Sequence, residues 1–438
     1  MAEPVDVSDV PVFSVSISEL DSDFQALCRI GSRWAGSDGE TRCRNFIVAS
    51  LRTIGLSDIR LESYPYLHYT PRGSKLEVSS PVQESLPTEP IQYSANGDAE
   101  GEALFVGEGK PADFDEVSRL GASLVGKIAV VRGKASERFY PAHLYGATGL
   151  VVICDAPEDL IRSTCLSPYP PNLTPPFEGQ IVPIPGVVTT LSAGDRLLRL
   201  MKFGPVRLRL YQQGDYSERT SANVVIRIAG TEQSKKVLAI GAHYDTKFGA
   251  GGAVDNSTGV AALCGLARFF ARQRPRRTVE LIAFSGEEIG LYGSYAFTRA
   301  HAEEIRQHYL AMINMDSLTG ASAVHYGLAA WPDRLRDVGV MVAKQVGWPV
   351  DMIYELNARE SRNDAVPFLS LDVPVIRYTE FPPGFGNPYY HTARDLVETV
   401  DLFRFHRIVQ AVGALAAHLA NADGSLFSSE VVGKVGKR

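Results

Sequence analysis

The sequence predicts an α/β fold: a mixed, largely parallel twisted sheet with helices on both faces, into which a smaller β-rich module is inserted. Three observations predict it. After Lys235, apolar runs (VLAIGAHYD, VELIAFSGEE, AMINMDS, AVHYG and PVIRYTE) alternate with stretches of helical spacing, the pattern of parallel strands covered on both faces. Between Pro81 and Thr220 the chain changes to short strand-like runs with a period of their own. The length, 438 residues, exceeds what one ordinary hydrophobic core organises.

In chain order, residues 1–16 are acidic, hold two prolines and keep no period, so they read as a flexible N-terminus. The main domain opens over 17–80. From Glu19 to Leu56 apolar residues recur at helical spacing, with GSRWAGSDGE joining two helices and Gly55 as a stop. Ile59 to Val78 alternates like strands, and Pro81, Pro87 and Pro90 then mark the boundary of the module, 81–220. Its strand candidates are ALFV, KIAVVRG, GLVVICD, IPGVVTT, VRLRLYQQ and NVVIRI; ERFYPAHLYGATG has room for one short helix, Ser167 to Pro176 is a proline-rich loop, and AGDRLLRLM is helical. The main domain resumes over 221–425. Within it Val237 to Phe270 reads as a buried strand, a glycine-rich loop and a helix, and a last helix runs from about Leu402 to Ala420. Residues 426–438 read as a flexible basic tail.

Composition excludes several classes. A hydrophobic fraction of 45% and a charged fraction of 21% are ordinary for a globular protein, and a net charge of -6 argues against a nucleic-acid or anionic-membrane partner. The five cysteines are scattered, odd in number and form no CxxC pair, so free thiols are expected rather than a disulfide framework. No apolar run reaches the roughly 20 residues that span a bilayer, and the N-terminus lacks a basic segment followed by an apolar one. The expectation is a cytoplasmic enzyme, although a secreted chain trimmed of its signal peptide would read the same; a homo-oligomer is compatible with either.

Four clusters carry the chemistry. The first is His243, Asp245 and Asp255; His243 and Asp245 stand two apart at a strand end, so they point the same way, and one can bind a metal while the other orients it. Alone the pair is equally compatible with a structural role. Glu287 and Glu288 follow an apolar strand, where burying two carboxylates calls for a cation or a proton, although acids at a solvated helix start are common. Asp316 ends another strand, and His391 lies in NPYYHTARD. With Asp245 and Glu287 set aside, two histidines and three carboxylates (His243, Asp255, Glu288, Asp316, His391) remain. That inventory suits two divalent ions and a bridging carboxylate, zinc first and manganese or cobalt after it.

The motifs GAHYDT, GAVDNSTGVAAL, FSGEEIGLYGS, INMDS and YYHTARD, in this order and spacing, resemble the co-catalytic zinc peptidase family of bacterial leucyl aminopeptidases, aminopeptidase Y and glutamate carboxypeptidases. The resemblance covers Lys235 to about Asp401. It implies that His243 and Asp316 hold one zinc, Glu288 and His391 the other, and Asp255 both. It further implies that Asp245 orients His243, that Glu287 is the general base and that the Tyr390 hydroxyl supports the oxyanion. GKIAVVRG, GATGLVVICD and IPGVVTT resemble the protease-associated domain inserted in some members, which implies a module that shapes the substrate cleft.

One departure stands out: where many members have Ser-Asp-His before Pro-Phe, this chain has Asn363, Asp364, Ala365 and Val366 before Pro367 and Phe368. SRND and RYTE resemble the glutamate carboxypeptidases, where the corresponding Asn and Arg bind an anionic substrate; that makes Asn363 and Arg377 substrate-binding candidates, with Arg359 and Arg362 nearby. A structural role for Arg377 is at least as compatible. The expected function is an aminopeptidase acting on peptides. The alternatives are a carboxypeptidase, dipeptidase or amidase acting on substrates with a free carboxylate, and a non-catalytic binding protein like the transferrin receptors, which share the architecture but lack the ligands.

Overall fold

A computed structural model describes residues 12–133, 142–166, 170–354, 356, 362–381 and 386–422. Two helices open the described chain, α1 (Ile17–Ile30) and α2 (Asp38–Thr53), the second capped by Ser37, whose hydroxyl accepts the Glu40 N–H at 3.1 Å. Strand β1 (Ile59–Ser80) leads into β2 (Glu84–Leu86), β3 (Thr88–Pro90), β4 (Gly97–Phe105), α3 (Pro111–Arg119), β5 (Ile128–Arg132), β6 (Gly149–Ile153), β7 (Gly186–Thr189) and α4 (Leu191–Met201). Then come β8 (Arg207–Ile228), β9 (Gln233–His243), α5 (Thr258–Arg272), β10 (Arg277–Phe284), α6 (Tyr292–Ala300), α7 (Ala302–His308) and β11 (Tyr309–Asn314). The chain continues through β12 (Gly327–Trp331), α8 (Asp333–Gln345), β13 (Met352–Tyr354), α9 (Ala365–Leu369), β14 (Val375–Thr379) and α10 (Leu402–Asn421).

The strands hydrogen-bond in the order β13-β12-β14-β11-β9-β10-β8-β4-β5-β6-β7-β3. Pairing is parallel at the centre, β14 with β11, β11 with β9 and β9 with β10, and antiparallel where β10 meets β8. The mixed, largely parallel sheet of the sequence reading is therefore present. Period-two geometry sorts β9: Leu238, Ile240 and Ala242 join a core cluster with α1, α2, α5, α8 and α10, whereas Val237 and Ala239 join a second one with α6, α7 and α9. Helices cover both faces.

Several local expectations change. VRLRLYQQ and NVVIRI belong to one strand, β8, which pairs with β1 from Ile59↔Ile226 to Ser80↔Arg207. Turn-prone residues between the two runs, Gly214, Asp215 and Ser217 among them, mimic a loop in sequence, but the long antiparallel partner satisfies their backbone groups. The strand expected at AVHYG lies further on, at Gly327–Trp331, and α3 was not anticipated. Phe13 and Val15, placed in the flexible N-terminus, are buried in the main core, with Phe13 edge-on to Phe269 at 5.1 Å. The basic tail and Arg359 lie outside the described residues.

Parallel β4 to β7 carry α3 and α4 on opposite faces, each over its own apolar cluster. Leu76 and Val78 of β1 and Leu208 and Leu210 of β8 pack in one of these, whereas Val224 and Ile226 of β8 pack in the main core. The β1/β8 ribbon thus links the two bodies.

Candidate metal centre

Chain direction switches at β9, because β10 adds on one side of it and β11 on the other, and a crevice opens at the C-terminal ends of these parallel strands. Three of the predicted clusters leave the sheet there: His243 is the last residue of β9, Glu287 and Glu288 follow β10, and Asp316 follows β11. Asp255 comes from a wide turn, Ala253–Ser257, that leads into α5. His391 arrives from the long segment between β14 and α10.

Asp255 sits between the two histidines. Its Oδ1 lies 3.1 Å from His243 Nε2 and its Oδ2 3.3 Å from His391 Nε2. Asp316 Oδ1 is 3.7 Å from His243 Nε2, and Glu288 Oε2 is 3.2 Å from His391 Nε2. Five side chains therefore form two groups that share one carboxylate. Both Nε2 atoms are buried and make no hydrogen bond of acceptable geometry to the described residues. Ligand atoms of His243, Asp255 and Glu288 all lie within 4.8 Å of one another. Buried imidazole nitrogens among carboxylate oxygens, with no thiolate, fit a divalent ion such as zinc.

The electrostatics agree. Burial opposes ionisation of Asp255, but the His243 and His391 imidazoles beside it outweigh burial and bring the carboxyl down to about 2. Burial opposes charge on His243 too, yet Asp245, Asp255 and Asp316 raise its pKa well above the usual value. The cluster is one that positive charge stabilises.

Asp245 braces the neighbouring turn. Its two carboxylate oxygens accept the N–H groups of Glu287 and Glu288, each at 3.2 Å. His243 Nδ1 lies nearer the Asp245 carbonyl, at 3.2 Å, than its carboxylate, at 3.6 Å. Glu287 is half-buried, and among the described residues nothing donates to its carboxylate. Burial, reinforced by Glu288 and Asp316 against His243, pushes its pKa well above the carboxylate range. Tyr390 is 37% exposed and stacks on the His391 ring, centroids 3.5 Å apart.

Residues 223–416, which contain every one of these groups, match the profile of peptidase family M28. This part of the chain is a peptidase family M28 domain. Over 78% of its length this chain is similar to a glutamate carboxypeptidase 2 homolog of Caenorhabditis briggsae, at 23% identity and covering 56% of the relative. The chain thus spans little more than half the length of that relative. Among solved structures, an aminopeptidase from Aneurinibacillus sp. strain AM-1 aligns with a TM-score of 0.72 at 22% identity, covering 93% of this chain and 95% of the other. A zinc aminopeptidase from Bacillus subtilis aligns with 0.71 at 19%, covering 94% and 96%. At such identities these structures establish a common fold.

The two substrate-binding candidates of the M28 domain are engaged within the protein. Asn363 is buried, and its Oδ1 accepts from Asn314 Nδ2 at 3.3 Å and from the Ala365 N–H at 3.1 Å. Arg377 donates through Nη2 to the Asp316 carbonyl at 3.0 Å. Arg362 is exposed.

Several residues that hold the ligands in place escaped the sequence reading. Asp395 accepts the N–H groups of Val254 and Asp255 at 3.0 and 3.1 Å, fixing the Asp255 turn; it stood in YYHTARD, one motif with His391. Arg33, fully buried, donates through Nε to Tyr244 O at 2.8 Å and through Nη2 to Gly252 O at 2.9 Å, tying together the two ends of the loop between His243 and Asp255. Its place in RWAG, between two helices, carried no signal that it would reach a site more than 200 positions away.

Proposed function

We propose that this protein is a two-zinc exopeptidase that removes N-terminal residues from peptides. The observation that carries the reading is Asp255, one oxygen directed to each histidine, in the manner of a carboxylate shared by two ions. In this reading His243 and Asp316 would hold one zinc, Glu288 and His391 the other, and Asp255 both. Bound zinc would supply Lewis acidity at the scissile carbonyl and lower the pKa of water. Glu287, raised in pKa by burial, takes a proton from the attacking water and returns it to the leaving amine. The Tyr390 hydroxyl donates to the oxyanion, a hydrogen bond that strengthens as charge develops. Asp245 keeps both glutamates in register through their N–H groups.

The segment 81–220, read as a protease-associated domain, shapes the cleft. Support comes from a cavity of about 530 Å³ lined by Thr88, Glu89 and Leu160 from that segment and by Phe248 and His391 from the M28 domain.

The glutamate carboxypeptidase name of the relative motivates a second reading, cleavage of substrates with a free carboxylate. The internal bonds of Asn363 and Arg377 favour the first. A panel of amino-acid anilides and N-blocked dipeptides, assayed after chelation and after zinc add-back, tests both. Zinc-dependent anilide turnover is expected. Turnover of blocked dipeptides alone would establish the second reading, and no zinc uptake at all would leave a binding protein.

A further inference from the structure

Arg162 lies in the segment that follows β6, far from the M28 domain in sequence, and its side chain is only 9% exposed. Its guanidinium reaches across to the loop that carries Tyr390 and His391. Nη1 donates to the Tyr390 carbonyl, and Nη2 to the Pro388 carbonyl at 3.1 Å. The next residue continues the contact, the Ser163 N–H donating to the His391 carbonyl at 2.9 Å. Nε donates to Asp155 Oδ1 at 3.0 Å, which sets the plane of the fork. The Arg162 N–H donates to Cys154 Sγ at 3.3 Å, anchoring the segment to the end of β6. On its other flank Glu158 accepts from the Tyr389 hydroxyl at 2.8 Å and pairs with Arg394 at 3.1 Å.

The loop held in this way has an unfavourable backbone. His391 has φ 59, in the left-handed region that few residues other than glycine occupy, although histidine tolerates it better than most, so contacts from outside the loop help to hold it there. Three of its carbonyls, at 388, 390 and 391, are bound by Arg162 and Ser163.

We propose that Arg162 is a positioning residue for His391 and Tyr390, so that the segment following β6 is part of the catalytic architecture and not only a wall of the cleft. The proposal rests on the two-zinc reading, in which His391 serves one ion and His243 the other. Without the fork, the His391 loop relaxes toward ordinary φ values and the ligand sphere of one ion loosens while the other is untouched. A lysine, with one compact ammonium, can replace at most part of the two-carbonyl grip.

The test titrates metal-free protein with Co²⁺, reading each equivalent by its absorption spectrum and by calorimetry, for the wild type, Arg162→Met and Arg162→Lys, alongside steady-state kinetics and melting. Expected for Arg162→Met is one equivalent weakened tenfold or more with an altered spectrum, the other within twofold of wild type, and a fall in kcat with little change in KM; Arg162→Lys falls between. Two unchanged equivalents and an unchanged kcat would overturn the proposal, as would equal weakening of both. Should Arg162→Met fail to fold, Asp155→Asn, which frees the fork without removing its charge, is read by the same titration and the same outcomes. A wild type that binds no second equivalent would sink the two-ion reading itself, an outcome distinct from the others.

Discussion

Lys247 Nζ lies 3.2 Å from Glu288 Oε2, while the Lys247 backbone N–H donates to Glu288 Oε1 at 3.2 Å. One residue thus attends both oxygens of a carboxylate proposed to bind zinc, and His391 shares Oε2 with the ammonium. Lys247 and Glu288 are both buried. A fixed ammonium beside a ligand repels an incoming cation, yet it neutralises the carboxylate when no metal is bound.

Replacing Lys247 by Met should therefore act in opposite directions on the two forms. Metal-free Lys247→Met should lose about 1.5–3 kcal/mol, the usual contribution of a hydrogen bond to a charged group, since Glu288 keeps His391 and the backbone N–H at position 247 as partners. Its affinity for zinc at the Glu288 and His391 site should rise, on the order of tenfold. Calorimetric melting with and without zinc checks both, and a variant destabilised equally in the two conditions would contradict the competition.

Glu287→Gln keeps the shape of the side chain and removes its ability to accept a proton. Turnover should fall by roughly 10²–10⁴, the usual contribution of a positioned base. Zinc content, measured by elemental analysis, should stay at the wild-type level, because Glu287 is not among the proposed ligands. Near-normal turnover with both ions bound would remove Glu287 from the mechanism.

Gly252 has φ 72, and a Cβ there would meet Thr246 Cγ2 at 2.2 Å and Arg33 Nη2 at 2.9 Å. Gly252→Ala should cost about 2–3 kcal/mol from the left-handed backbone and the displaced guanidinium. Because Arg33 ties Gly252 to Tyr244, zinc affinity should fall as well. The denaturation midpoint and a zinc titration report the two effects separately.

His68, buried in β1, donates through Nδ1 to Ala35 O and, as a neutral ring, accepts from the Thr70 hydroxyl at Nε2, each at 2.9 Å, and burial, with Arg219, lowers its pKa from 6.5 to about 4. In the window between those values the unfolded chain binds a proton that the folded chain excludes. Stability from this group is therefore complete above pH 6.5 and is lost as pH falls toward 4, by at most ~3 kcal/mol. His68→Gln retains polar contacts without titrating, so its stability difference between pH 4.5 and pH 7 should be smaller than that of the wild type by roughly 1–3 kcal/mol. Equal slopes in urea unfolding at the two pH values would show that His68 is not the group involved.

How much of this was legible depends on whether the signal is local. His243, Glu288 and Asp316 could be found from sequence because each ends an apolar strand or follows one by a few residues, and strand ends of a parallel sheet converge on a crevice. Local reading failed in the β1/β8 ribbon, where two runs separated by turn-like residues became one strand through a partner some 130 to 170 positions away. It failed also at AVHYG, whose apolar pattern lies just before β12; the pairing of Gly327 to Trp331 with β14 decides which residues are strand.

The sequence by itself determined the fold class and the chemical inventory of the site, because burial pattern and side-chain type are written residue by residue. Which groups support that inventory was decided only by the tertiary structure. Arg33, Lys247, Asp395 and Arg162 grip mostly backbone carbonyls, N–H groups and a ligand carboxylate, and backbone groups are the same at every position, so no spacing reveals them. Asp255 stands between these cases: spacing alone does not distinguish it from a turn aspartate, the motif resemblance put it in the inventory, and the tertiary structure sets one of its oxygens against His243 and the other against His391.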